Sequence, residues 1–266
     1  MACNAEQQFA VRFNLQKMGP LGIADDDYRR VAMAVDSTEA DVREMCEGFH
    51  RQNRRVAEEL GIHGGLTDRP VRICFIGDSI TSERTSYMNI LRDGLAEDRT
   101  IEILDFAISG WQTSNVIFEF EGQVPAFRPD VVHMMIGTND ARNARPGTDG
   151  STASLAGYRR NIEQILTLLA DTGAQVVIST VPPTQVSAPL ENGVVPVWEW
   201  RAFNEILRDV AAKHGILLHD MEQTLVAELD KIIDVFDHVH LNAYGQRLMA
   251  QGVYAALKKL LADKER

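Results

Sequence analysis

The sequence Gly77-Asp78-Ser79-Ile80-Thr81 follows a short apolar run at 71–76. It thus places a serine hydroxyl at the carboxyl edge of a strand, where open α/β folds bind their ligands. A serine hydroxyl becomes a nucleophile only when a neighbouring base takes its proton. Of the seven histidines, His240 has the most suitable setting, because Asp237-His238-Val239-His240 precedes a helical pattern near the C-terminus. A carboxylate three residues before an imidazole can hold its tautomer and stabilise the imidazolium as it forms. Such a set would perform acyl transfer, and the anion of its tetrahedral intermediate needs hydrogen-bond donors. Two further turns offer them: Ala107-Ile108-Ser109-Gly110 through a bare backbone N–H, and Gly137-Thr138-Asn139-Asp140 through the Asn139 amide. Each residue has a plainer reading, Ser79 as a helix N-cap, Gly110 as a turn residue and Asn139 as a partner of its own backbone.

In chain order these four turns resemble the SGNH family, also called GDSL hydrolases, whose blocks contribute Ser, Gly, Asn and His. The resemblance covers Val71 to about Leu261. It implies Ser79 as nucleophile, His240 as general base and then general acid, and Asp237 as its orienting partner. The oxyanion donors it implies are the backbone N–H groups of Ser79 and Gly110 and the Asn139 side chain. It calls for no metal and no organic cofactor, and it implies hydrolysis of short-chain acyl or acetyl esters. Lysophospholipid, thioester or acetylated-carbohydrate hydrolysis would use the same parts. His238 departs from the family, which often has Gly there.

The elements that must position these residues follow from periodicity. Short apolar runs at 71–76, 101–106, 131–136, 175–180 and 216–219 alternate with longer amphipathic segments. That alternation predicts a three-layer α/β/α, flavodoxin-like sandwich around a central parallel five-stranded sheet. A helix should start near Ser154 with one apolar face and stop at Gly173, and a last helix should run from about Ala243 with Asn242 as N-cap. The first 66 residues read as a helical N-terminal extension to a catalytic domain at 67–266. Its strongest helix begins at the Thr38-Glu39-Ala40-Asp41 capping signal and ends at Gly61. Val42, Met45, Cys46, Phe49, Val56 and Leu60 form its apolar face, expected to cover a flank of the catalytic domain. A homo-oligomer contact or a partial lid is the alternative. Residues 62–67, with paired Gly, read as a linker.

The 266 residues are 45% hydrophobic and 24% charged, an ordinary globular composition. The formal charge of -11 argues against nucleic-acid or anionic-membrane partners, which need clustered Lys and Arg, and favours a small-molecule ester substrate. The three Arg between positions 51 and 55 read as a solvated helix face. Cys3, Cys46 and Cys74 fit neither a disulfide framework nor a metal pattern, and no signal-peptide core or membrane span is seen, so a cytoplasmic enzyme is expected. Two competing readings remain. Asp234, Asp237, His238 and His240 could bind a divalent metal, and Asp78 or Asp140 could serve a flavodoxin-like binding module. Trp111, Trp198 and Trp200, with the segment 182–200, are candidates for shaping a substrate pocket, or else core.

Overall fold

A computed structural model describes residues 3–18, 26–64, 66–143, 152–184, 197–198, 200–234 and 239–262. Ahead of the first strand lie α1 (Ala5–Arg12), α2 (Tyr28–Ala34) and α3 (Glu39–Glu59). The sheet and its crossovers follow: β1 (Val71–Gly77), the short α4 (Ser79–Ser82), α5 (Tyr87–Gly94), β2 (Ile101–Ala107), α6 (Thr113–Phe127) and β3 (Val131–Met135). Next come β4 (Arg142–Asn143), α7 (Leu155–Ala170), β5 (Gln175–Ser179), β6 (Val197–Trp198), α8 (Trp200–His214) and β7 (Leu217–His219). The chain closes with α9 (Met221–Leu225), α10 (Leu229–Ile232) and α11 (Ala243–Ala262).

Five strands form one parallel sheet in the order β2-β1-β3-β5-β7, as the five apolar runs predict. Alternate residues of β1 face opposite layers. Ile73 and Phe75 join a core with α5 and α11, while Cys74 and Ile76 join a second core with α6, α7 and α8. Both faces are therefore dry, which is why these strands read as continuous Val- and Ile-rich runs and not as alternating ones. A fully buried side chain such as Phe75 contributes about 1.5–3 kcal/mol.

The order reverses at β1, which has β2 on one side and β3 on the other, so a crevice opens at the carboxyl end of β1. Register makes this edge level. Gly77 pairs with Ala107 on one neighbour and Met135 on the other, so the turns after all three strands emerge side by side.

Local signals place the helix starts. Ser154 accepts from Gly157 N–H at the head of α7, Thr38 accepts from Asp41 N–H at the head of α3, and Asn242 accepts from Tyr244 and Gly245 at the head of α11. The α3 stripe is covered within the chain: Val56 and Leu60 pack on the α5 and α11 core, and Met45 and Phe49 pack on a smaller cluster with Val31 of α2. Arg51 and Arg55 pair with Glu47 and Glu59 on its outer face.

One reading needs correction. Residues 62–67 are not a free linker, because Ile62 and Leu66 are buried in the same core as β1. Trp200 takes the core alternative of its two readings, being only 4% exposed within the α6–α7–α8 core. The short α1 and α2, and the two-residue strands β4 and β6, which pair antiparallel, were not anticipated.

Candidate active site

Ser79 is the first residue of α4 and is almost wholly buried, 9% exposed. Asp78 caps this turn, its carboxylate accepting from Ile80 N–H at 3.0 Å. Gly77 is required before it, since a Cβ there would stand 2.2 Å from the Thr81 hydroxyl oxygen. Gln246 of α11 fastens the turn from behind, donating to Ile80 O at 3.2 Å and to Glu83 Oε1 at 2.5 Å while accepting from Tyr87 N–H at 2.8 Å. Ser79 is thus held in a rigid polar cage, a precondition for reproducible attack geometry.

His240 is brought to Ser79 by a loop closed at its base. Ile233 and Leu241 form an antiparallel bridge, Asp234 N–H donates to His240 O at 2.7 Å, and Asn242 N–H donates to Ile232 O at 2.8 Å. The imidazole Nε2 then stands 2.7 Å from Ser79 Oγ across 161 residues of sequence, within proton-transfer distance. Asp237, His238 and the rest of 235–238 lie outside the described residues. Asp234 is engaged by Arg12, at 2.8 Å.

The other two turns are tied to each other and to α4. Ser109 faces Ser82 of α4, hydroxyl to hydroxyl at 3.4 Å. Gly110, exposed, has φ +83°, a left-handed conformation open to Gly at little cost. Asn139 donates from Nδ2 to Trp111 O at 2.9 Å, and its own carbonyl accepts from Gln112 Nε2 at 3.2 Å. A primary amide carries two N–H groups, so anchoring one to Trp111 O fixes the direction of the other. The plainer reading of Asn139, a bond to its own local backbone, is not what is found. Asp140 is buried and accepts from both Thr113 N–H and Thr113 Oγ, at 3.0 and 2.6 Å, which joins the turn after β3 to the head of α6.

The field around this cage is set by burial. Desolvation pushes Asp78 up to about 6 and Glu83 up to about 7, the latter opposed by the charges of Arg12 and His240. Burial raises Asp140 as well. Asp78 and Asp140, the residues a flavodoxin-like binding module would use, each accept a backbone N–H at the head of a helix, Asp78 at α4 and Asp140 at α6. Among the described residues there is no group of three or more His, Cys, Asp or Glu side chains placed to hold a metal ion.

Trp111 is half-buried with its ring edge-on to Phe106 at 5.1 Å, beside the Gly110 turn. The backbone of Trp198 pairs with Arg142, and its side chain lies outside the described residues, as does most of the segment 185–199. Sequence reasoning missed Gln246, Arg12 and Phe13. Gln246 reads as one of several polar residues on α11, with Arg247, Gln251, Lys258 and Lys259, and only its burial, at 0% exposure, marks it.

The sequence matches the GDSL-like lipase/acylhydrolase family over residues 75–248. It is 26% identical over 151 residues to an acetylxylan esterase of Xylanibacter ruminicola, an overlap of 50% of this chain and 29% of that protein; the chain thus spans less than a third of that relative's length. Among solved structures, a lipase/acylhydrolase from Enterococcus faecalis superposes with a TM-score of 0.58 at 19% identity, covering 71% of this chain and 96% of the other. An acetylxylan esterase from Geobacillus stearothermophilus gives 0.57 at 18% identity, covering 71% and 94%. These likenesses establish the three-layer fold. With the match across most of the sheet and its turns, the chain belongs to the GDSL-like lipase/acylhydrolase family, whose members hydrolyse carboxylic esters.

Proposed function

We propose that this chain hydrolyses short-chain carboxylic esters, acetyl esters on carbohydrate foremost, through an acyl intermediate on Ser79. The observation that carries the proposal is the 2.7 Å contact between His240 Nε2 and Ser79 Oγ in a turn locked by Asp78 and Gln246. His240 takes the Ser79 proton as Oγ attacks the ester carbonyl carbon. The carbonyl oxygen becomes an oxyanion held by the Ser79 and Gly110 backbone N–H groups and by the Asn139 amide. When the tetrahedral intermediate collapses, the C–O bond to the alcohol breaks and His240 returns its proton to the leaving oxygen. Water then attacks the acyl-serine, His240 taking one proton and handing it back to Ser79 Oγ as the acid departs. Asp237, by its place in the family pattern, orients the imidazole. The acetyl preference is supported by the relatives' named activity on acetylxylan.

A panel of nitrophenyl esters of increasing acyl length, together with acetylated xylo-oligosaccharides, tests this reading. Fastest turnover is expected on acetyl esters, with Ser79→Ala lower by several orders of magnitude on all of them. A preference for long acyl chains would point to lysophospholipid-type substrates instead, and an active Ser79→Ala enzyme would overturn the mechanism.

A further inference from the structure

The segment at 11–17 precedes the family match, yet it runs along the turns that carry the site. Arg84 N–H donates to Arg12 O at 2.8 Å and Arg84 Nε to Val11 O at 3.0 Å. Asn14, itself buried with a left-handed φ of +52°, donates from Nδ2 to Ser82 O at 2.5 Å. Ser109 Oγ, next to Gly110, donates to Phe13 O at 2.6 Å, and Lys17 pairs with Asp105 of β2 at 2.7 Å. In one stretch the chain touches the segment after Ser79, the turn before Gly110 and the loop of His240.

Two side chains in this stretch bear on the His240 region, Phe13 on the imidazole itself and Arg12 on the elements that flank it. The Arg12 guanidinium lies 3.2 Å from Glu83 Oε2, 2.8 Å from Asp234 Oδ2 and 3.3 Å from Leu241 O. Glu83 stands one residue beyond the helix that Ser79 opens, and Asp234 and Leu241 belong to the two strands of chain that close the His240 loop. A planar fork with fixed donors can bridge such a pair of elements, whereas a point charge can serve only one well. Phe13, 2% exposed, packs its ring on the His240 imidazole with centroids 4.4 Å apart. Apolar docking of α1 alone would bury Phe13 and Val11; it would not require a guanidinium among two carboxylates and a carbonyl that flank nucleophile and base. Leaving Glu83 and Asp234 close together without Arg12 would set two like charges against each other in a largely buried site.

We propose that Arg12 and Phe13 are positioning residues for His240, Arg12 by clamping the Glu83 and Asp234–Leu241 elements together and Phe13 by fixing the plane of the imidazole. The proposal rests on the reading above that His240 is the base for Ser79. Their effect comes through the Ser79–His240 distance, where an error of about 1 Å can cost on the order of a hundredfold in rate.

The test uses the full chain with Arg12→Met, Arg12→Lys, Phe13→Leu and Ser79→Ala, assayed on nitrophenyl acetate per folded molecule, with the melting temperature measured separately. Arg12→Met is expected to lower kcat roughly tenfold to a hundredfold with KM changed less than about threefold. Arg12→Lys should fall between it and the parent, and Phe13→Leu, which keeps apolar bulk, should lose several-fold in kcat. If Arg12→Met does not fold, Arg12→Lys and Phe13→Leu decide. Values of kcat within about twofold of the parent in every folded Arg12 and Phe13 variant, or changes confined to KM or melting temperature, would overturn the proposal. An inactive Ser79→Ala beside fully active Arg12 and Phe13 variants removes this inference alone. An active Ser79→Ala removes the reading it rests on, and the inference with it.

Discussion

Asp140 holds Thr113 by two bonds at once, from the backbone N–H and from the hydroxyl, and so couples the turn that presents Asn139 to the helix that begins just beyond Gly110. The two turns meant to supply oxyanion donors are therefore one mechanical unit, with Asn161 also donating to the Thr113 hydroxyl at 2.9 Å. Asp140→Ala leaves the Thr113 N–H and hydroxyl without their buried acceptor. A buried donor left unsatisfied costs about 1–3 kcal/mol, so a lowered melting temperature is expected, together with a fall in kcat as Asn139 loosens. Asp140→Asn, which keeps one acceptor, should recover part of both. Thermal melts and steady-state kinetics on the two variants check this; an Asp140→Ala enzyme with parental stability and kcat would contradict it.

Asn139→Ala removes a side-chain donor and leaves Ser79 and His240 in place. The loss of one oxyanion donor costs on the order of a hundredfold to a thousandfold in kcat. KM should change little, because the bond strengthens only as the carbonyl becomes an oxyanion. Saturation kinetics that show a raised KM with unchanged kcat would assign Asn139 to ground-state binding instead.

The pH profile should report more than one group. A histidine base works when neutral, so kcat/KM should rise with pH across its acid limb. Asp78 and Glu83, pushed up to about 6 and about 7 by burial, ionise in the same range, and Asp234 and Arg12 add their charges nearby. The limb is thus a property of the cluster and not of His240 alone. An ionised Glu83 favours the imidazolium, so Glu83→Gln should move the limb to lower pH. A shift to higher pH in that variant would contradict this arrangement.

Stability should carry a separate signature from the sheet interior. His133 of β3 is fully buried between Tyr87 Oη at 3.2 Å and Ser179 Oγ at 2.8 Å, and Ser179 continues to His219 at 3.0 Å. Burial lowers His133 to about 3 and His219 to about 4. Below about 6.5 the unfolded chain therefore binds protons that the folded chain refuses, and stability is lost as pH falls toward these values. Asp78 and Glu83, whose values are raised, contribute with the opposite sign between the ordinary carboxylate range and about 6 to 7. The difference between parent and His133→Asn isolates one group. Denaturant unfolding from pH 4 to 6 should show a shallower slope in the variant, by up to about 1.4 kcal/mol per pH unit. Parallel curves would mean His133 is not held neutral.

Much of this was legible because burial on both faces of a parallel strand, and a capping side chain at a helix start, leave local marks. Runs such as 71–76 and 131–136, and the caps Thr38, Ser154 and Asn242, are of that kind. The turns carrying Ser79, Gly110 and Asn139 were legible because each follows a strand, and His240 because its Asp-x-x-His unit stands just before a helical pattern. Arg12 was not: its partner Asp234 lies 222 residues away, and a single Arg at the end of an eight-residue helix has no pattern. Residues 62–67 misled in the other direction, since the paired Gly64-Gly65 signals freedom locally while Ile62 and Leu66 are fixed by tertiary packing. Trp200 was left open between pocket and core because large aromatics suit both, and burial decides for core.

The most direct test of the central claim is covalent. Reaction with a fluorophosphonate, followed by intact mass and peptide mapping, should show one adduct, on Ser79, with labelling abolished in Ser79→Ala and slowed by orders of magnitude in His240→Ala. An adduct at another residue, or labelling of Ser79 at an unchanged rate in His240→Ala, would contradict the pairing of these two residues as nucleophile and base.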